Sequence, residues 1–475
     1  MPDCPQCISC GRFACRSQRG IVRRLRSVTS TAAVAGDQRT RLRLIAPAVL
    51  VGLVAGVMSI GRLWLFDRSA PTEVLWAEDG LFPLCIRKAD FFTCTSEPFA
   101  GYLLFLPRVL AWPVAVLPWE HWAIAANVIA AALVGLTAAF AFLIVLRAGF
   151  GWFTAGVIAL LPVLAPMAGL EAINAIGSAY MLLLFLSTLL IVLPPRVGLP
   201  IASRGYIAAG AVLLLVTALT IPSAVVLLAL LLVVLLRGRW SWSIGGVWAG
   251  ALAVGLIAQA VVALTAEAPR QISLGSETLN SWADSIPVSL LTYWPGLSIG
   301  DYAFFNNFSL SPLGVTGWLI AGLMVAVAVA FVVRDSGNRL AIGLLLLGGL
   351  GFGLIPSAIG FANNRYFVVP LLLWGTAAML ALDPVIRRSR PWLVGIVSVL
   401  VLVIWWPAFP ASAFRATPAP PWTAEVERIE AKCLSDPAFI DRPLFTPFWP
   451  PNWGDGLIEP THPNLPCTTV WRWLD

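Results

Sequence analysis

Lysine is nearly missing from this chain. Only Lys88 and Lys432 occur in 475 residues, and the other basic residues are all Arg. Neither lysine follows a glycine, since Arg87 and Ala431 precede them. A phosphate-binding P-loop, which needs a Gly-Lys pair, is therefore excluded. Histidine is equally scarce, with His121 and His462 alone, so a His-built zinc or haem centre is not expected. No Ser-His-Asp arrangement suggests itself either. Charge of any sign is thin at 12% of residues, against about a quarter in ordinary soluble domains. The formal net charge of +7 is spread over short loops as Arg, which argues against a nucleic-acid-binding patch.

What fills the chain instead is apolar: 59% of residues are hydrophobic, and runs long enough to cross a hydrocarbon core of about 30 Å recur along the whole length. We read an all-α integral membrane protein, a polytopic bundle of about eleven spans. Residues 1–42, with Cys4, Cys7, Cys10 and Cys15, read as a cytoplasmic Arg-rich tail in preference to a zinc knuckle. A transmembrane domain covers 43–410, and residues 411–475 form a small extracytoplasmic cap with a helical pattern at about 423–434. Two loops, 65–120 and 266–310, lie outside. Within the first, Tyr102 to Trp119 holds Pro107, Arg108, Pro113 and Pro118, which suits an interfacial helix better than a span. The apolar stretch 206–236 carries Pro222 at its middle and reads as two short helices. That count places Arg147, Arg196, Arg204, Arg237, Arg239, Arg334, Arg339, Arg387, Arg388 and Arg390 in cytoplasmic loops, opposed only by Asp335 and Asp383. This is the bias of the positive-inside rule, and it gathers the acids on the opposite face. Gly349 and Gly353 read as a close helix-packing face.

Few residues could carry chemistry. Glu78 and Asp79 follow the first span, and adjacent carboxylates can supply a general base and an orienting or metal-binding partner. The competing reading is an acidic helix N-terminus. Arg365, beside Asn363, Asn364 and Tyr366, could grip a phosphate through a bidentate guanidinium, or snorkel to the interface. Glu171 and Asn174 share a helical face or cap a tight loop. Arg108 pairs with an acid or faces lipid phosphate. Asp284 and Asp301 cannot be ranked. A carboxylate-bound Mg²⁺ or Mn²⁺ is open as a cofactor. Cys85 with Cys94, and Cys433 with Cys467, form two pairs on the outer side, as disulfides would.

The order of these features resembles the GT-C superfamily of membrane glycosyltransferases. Ala77-Glu78-Asp79-Gly80 matches its acidic motif in the first outer loop, and 102–119 matches the interfacial helix after it. Gly101-Tyr102, Leu106-Pro107-Arg108 and Asn363-Asn364-Arg365-Tyr366 resemble bacterial membrane proteins grouped loosely there. The resemblance covers roughly 43–410 and lacks the large soluble carbohydrate-binding domain of better-known members. It implies a polyprenyl-phosphate sugar donor and a glycan, lipid or protein acceptor in the cell envelope. Asp79 would deprotonate the acceptor hydroxyl, Glu78 would assist or bind metal, and Arg365 would neutralise the departing lipid phosphate. The rivals are a lipid-linked-sugar transporter or flippase and a non-catalytic assembly protein. A coupled transporter usually places ionisable groups inside its spans, whereas 122–146, 150–168, 206–236 and 312–333 carry no charged residue.

Overall fold

The computed structural model describes residues 44–62, 72–73, 75, 78–99, 101–164, 175–177, 179–195, 204–265, 338–358, 368–392, 394–396, 421–436, 440–441 and 465–467, with single positions at 322, 326, 329 and 330. These residues form a helical bundle. Its elements are α1 (Leu44–Arg62), α2 (Glu78–Lys88), α3 (Phe91–Ser96), α4 (Phe105–Ala115), α5 (Trp122–Arg147), α6 (Trp152–Leu164) and α7 (Ala179–Val192). They continue with α8 (Arg204–Thr220), α9 (Val225–Leu236), α10 (Trp242–Thr265), α11 (Arg339–Ala358), α12 (Val368–Arg388) and α13 (Trp422–Ser435). Two short strands, β1 (Ile440–Asp441) and β2 (Leu465–Pro466), pair antiparallel. Among the described residues four stretches are long and apolar enough to cross a membrane: α1, Trp119–Arg147, α10 and α12.

Burial separates the inner helices from the outer ones. Every residue of α7 is buried, which suits a helix that is apolar all round and sits at the centre of a bundle. In contrast, α1 exposes Leu50, Leu53 and Val57, and α10 exposes Val254, Ile257 and Leu264. So many large apolar side chains facing outward mark a surface that meets lipid, and the protein as membrane-associated. With no hydrophobic drive between helices in lipid, close approach has to come from small residues. At the crossing of α1 and α5 a Cβ added to Gly135 would lie 2.7 Å from the Gly52 carbonyl oxygen, and one added to Gly52 equally close to that of Gly135. The expected packing face on α11 is present at Gly349, where a Cβ would come within 2.4 Å of the Trp374 indole nitrogen on α12.

The stretch 206–236 does break in two. Ile221 is extended, as the residue before a proline prefers, and a 3-10 turn at Pro222–Ala224 follows. The chain reverses there, for Tyr206 at the start of α8 stacks on Trp240 just past α9, with ring centroids 6.2 Å apart. The segment holding Arg108 is an 11-residue helix, α4, about 16 Å long and too short to cross. One boundary differs from expectation. Residues 383–388 were expected in a loop, yet α12 continues through Pro384 to Arg388. The physical reason is Asp383. Its carboxylate pairs with Arg387 one turn on, at 2.8 Å, and accepts the Gly151 amide at 2.9 Å and the Thr154 hydroxyl at 2.7 Å. The charge is thereby matched inside the bundle, and the helix need not end before it.

Candidate functional site

Asp79 lies in the first turn of α2 and is 2% exposed. Its Oδ1 accepts the Gly177 backbone N–H at 2.7 Å, and its Oδ2 accepts that of Ile176 at 3.0 Å. These amides belong to the turn entering α7, in which the Ala179 N–H donates to the Ile176 carbonyl. Both oxygens of a buried carboxylate are thus aimed by backbone donors, and the acid holds the start of the central helix from a different element. The competing expectation was an acidic helix N-terminus, and Asp79 does lie in the first turn of α2, while these two amides precede α7. Asn174 precedes Ile176 by two residues in the chain, and Glu171 by five.

The Arg108 guanidinium, on α4, is 4% exposed and turned into the protein. It donates to the backbone carbonyls of Cys94 and Glu97, and lies 5.8 Å from the centre of the Phe82 ring. Phe82 is three residues after Asp79, so the two share a face of α2. Burial pulls the Arg108 pKa down to about 10, opposed by Glu97 and Tyr102, and the group stays charged at neutral pH. Carbonyl oxygens are the direct acceptors here, and Glu97 is the acid whose charge acts on the group. A disulfide between Cys85 and Cys94, as expected, ties α2 to α3. Arg87 closes the far end of α4 by donating to the carbonyls of Ala115 and Leu117 at 2.5 and 2.6 Å. Together these contacts make α2, α3 and α4 one braced unit.

That unit is docked on two sides. The Leu106 N–H donates to the Thr220 hydroxyl at the end of α8. Gln259 on α10 accepts the Leu103 N–H at 2.9 Å and donates to the carbonyls of Leu103 and Leu219. On the other side α13 packs down. The Trp422 ring stacks on Trp122 at 6.2 Å and meets Trp119 edge-on at 6.0 Å. Its indole N–H donates to the Trp119 carbonyl at 2.5 Å, and its backbone N–H to the Glu73 carbonyl at 2.7 Å. The second expected disulfide, Cys433–Cys467, ties α13 to the strand β2 region. Leu81, Leu84, Ile176, Trp119, Trp422 and Val426 belong to one buried cluster, so the C-terminal segment and the Asp79 turn share a core.

Of the residues expected to act, the structure brings Asp79 and Arg108 to the same unit. It places the Glu78 backbone as the first residue of α2. Glu171, Asn174, Asn363, Asn364, Arg365 and Tyr366, like the unranked Asp284 and Asp301, lie outside the described residues. Among the described residues the one group of three potential metal-binding side chains is Cys85, Cys94 and Glu97. Its two sulfurs are joined to each other, and a metal needs thiolates. Sequence reasoning passed over Gln259 and Trp422. A lone amide in an otherwise apolar span was the available signal for Gln259, and an indole opening a helical pattern for Trp422.

A helical membrane protein with a braced, acid-bearing unit at one end is the class these features define. No protein-family model and no curated protein matches the chain.

Proposed function

We propose that this is a multi-pass glycosyltransferase. It would move a sugar from a polyprenyl-phosphate donor to a cell-envelope acceptor at the extracytoplasmic face of the cell membrane. The observation that carries this reading is an oriented carboxylate at one end of the bundle and a row of arginines at the helix ends of the other. A buried, oriented carboxylate sits at the end that holds α2, α4 and the start of α7. Arg204 opens α8, Arg339 opens α11, Arg147 closes α5, and Arg387 and Arg388 close α12, and Arg239 follows α9; this is the opposite end, where the Tyr206–Trp240 stack lies. The positive-inside rule assigns such an end to the cytoplasm. The chain reversal at Pro222 supports the parity of eleven spans, with a cytoplasmic N-terminus and Asp79 outside.

In this reading Asp79 takes the proton of an acceptor hydroxyl. The acceptor oxygen bonds to the anomeric carbon as the bond from that carbon to the phosphate oxygen breaks. The departing polyprenyl phosphate takes the bonding pair, and its charge is met by Arg365, with Asn364 and Tyr366 beside it. Glu78 would assist Asp79 or bind a metal, and Glu171 and Asn174 would contact substrate. The two amides on Asp79 fix the carboxylate before substrate arrives, which is the preorganisation that general base catalysis needs. Arg108 acts at one remove by holding α4 against α2 and α3.

The test uses the purified protein in proteoliposomes with labelled polyprenyl-phosphate sugars and an envelope extract as acceptor. Transfer of label is expected, with Arg365→Lys impaired in donor use because a point charge replaces a two-pronged fork. Label that crosses the bilayer without being transferred would make the protein a flippase and overturn the reading.

A further inference from the structure

At the end of the bundle opposite Asp79 lies a cleft of about 290 Å³, lined among others by Ala148, Gly149, Asn338, Asp383, Arg387 and Arg388. A narrower recess shares Ala148 and Asn338 with it and adds Arg239 and the start of α11. We propose that this cleft binds the phosphate group of an anionic phospholipid.

Three features of the lining point there. The first is a guanidinium held in place. Arg387 donates through Nε to the buried Asp383 at 2.8 Å and through Nη2 to the Gly149 carbonyl at 2.6 Å. Asp383 is in turn fixed by Gly151 and Thr154. Yet Arg387 is 46% exposed, so part of its fork meets the cleft already oriented. Oriented guanidinium is the group that matches phosphate oxygens. The second is the charge balance. Arg239, Arg387 and Arg388 against Asp383 leave the joined lining at +2, with Arg239 and Arg388 exposed. The third is the surroundings. Val385 is 46% exposed on α12 beside the cleft, and Trp152 and Trp392 are exposed at the same end. Indoles at that level are the usual mark of the headgroup boundary, and apolar side chains next to the cleft offer a path for an acyl chain. A soluble anion would use the arginines and leave the apolar rim idle. A basic recess between helices at a cytoplasmic membrane face is a recurrent setting for lipid headgroups. The placement of this end in the cytoplasmic leaflet rests on the topology proposed above, but binding itself requires neither that orientation nor any transfer activity.

The experiment compares wild-type protein, Arg239→Gln/Arg388→Gln and Arg237→Gln in nanodiscs. Arg237 is exposed at the same end and lines neither recess, so it controls for diffuse attraction. Zwitterionic nanodiscs are titrated with phosphatidylglycerol, and bound lipid is read by native mass spectrometry. A change in affinity on the order of fivefold per arginine is expected for the double variant, and none for Arg237→Gln. Equal losses in both variants would reduce the effect to general surface charge and overturn the proposal. Inorganic phosphate at millimolar concentration should displace little lipid; displacement as effective as that by added phosphatidylglycerol would assign the cleft to a soluble anion instead. Because both substituted arginines are exposed, the melting temperature in zwitterionic discs should not move, which separates lost binding from lost folding.

Discussion

Replacing Asp79 by Asn removes one charge, keeps the size of the side chain, and separates two roles that the structure superimposes. The amide carbonyl can still accept one of the N–H groups of Ile176 and Gly177. The amide nitrogen then faces the other. One charge-assisted hydrogen bond is lost and one buried backbone donor is left unmatched, at a cost of about 1–3 kcal/mol. Against a total stability of roughly 5–15 kcal/mol that leaves most molecules folded. Loss of a general base costs on the order of 10²–10⁴ in rate, or about 2.7–5.5 kcal/mol of barrier. The folding effect cannot imitate the catalytic one, because a partly destabilised protein loses activity only in proportion to its unfolded fraction. The assay is sugar transfer per folded molecule, with folded protein quantified by size-exclusion profile and melting temperature at equal membrane levels. Asp79→Asn should melt a few degrees lower and transfer at least a hundredfold more slowly. Asp79→Ala, which abandons both amides, should melt lower still. Transfer by Asp79→Asn that simply tracks the folded fraction would refute the argument, and would leave Asp79 as a brace for α7 alone.

Trp422→Ala should release α13 from the Trp119–Trp122 pair, at about 3–5 kcal/mol for a buried indole; limited proteolysis after residue 410 should speed up, and unchanged resistance would count against the docking described. Gly135→Val should impair assembly, since its Cβ would meet the Gly52 carbonyl at 2.7 Å, with overpacking worth about 1–3 kcal/mol; the check is the yield of monodisperse protein, with Gly250→Val, whose Cβ would meet nothing within 4 Å, as the control. Reporter fusions after Arg239 and at Asp475 should signal from the cytoplasm and from outside respectively, and a cytoplasmic signal at Asp475 would remove Asp79 from the outer face.

The features legible in the sequence are those in which a residue type carries its own physical restriction. Pro222 has no N–H to give and restricts the residue before it, so the break between α8 and α9 could be placed in advance. Pro107, Pro113 and Pro118 excluded a full span for the same reason, and α4 is short. Cysteines that share one loop or the C-terminal tail could be matched by their place in the sequence. What a carboxylate does is a different kind of fact, because it depends on which donors meet it. Asp79 and Asp383 both read as charge at the end of a span. In the structure each reaches across to the turn that opens a neighbouring helix: Asp79 to the amides of Ile176 and Gly177 before α7, and Asp383 to the Gly151 amide and the Thr154 hydroxyl at the start of α6. Backbone amides leave no mark in a sequence, and these lie 97, 98 and 232 residues away. The two acids hold consecutive helices at opposite ends of the bundle by the same chemistry, but they differ in setting. Asp383 has Arg387 one turn away on its own helix, and its charge is matched within the fold. Asp79 sits on the braced α2 unit, against the turn at Ile176 and Gly177. A substitution at Asp383 should therefore lower sugar transfer only in proportion to the folded fraction, and its comparison with Asp79→Asn measures how much of the Asp79 effect is chemistry.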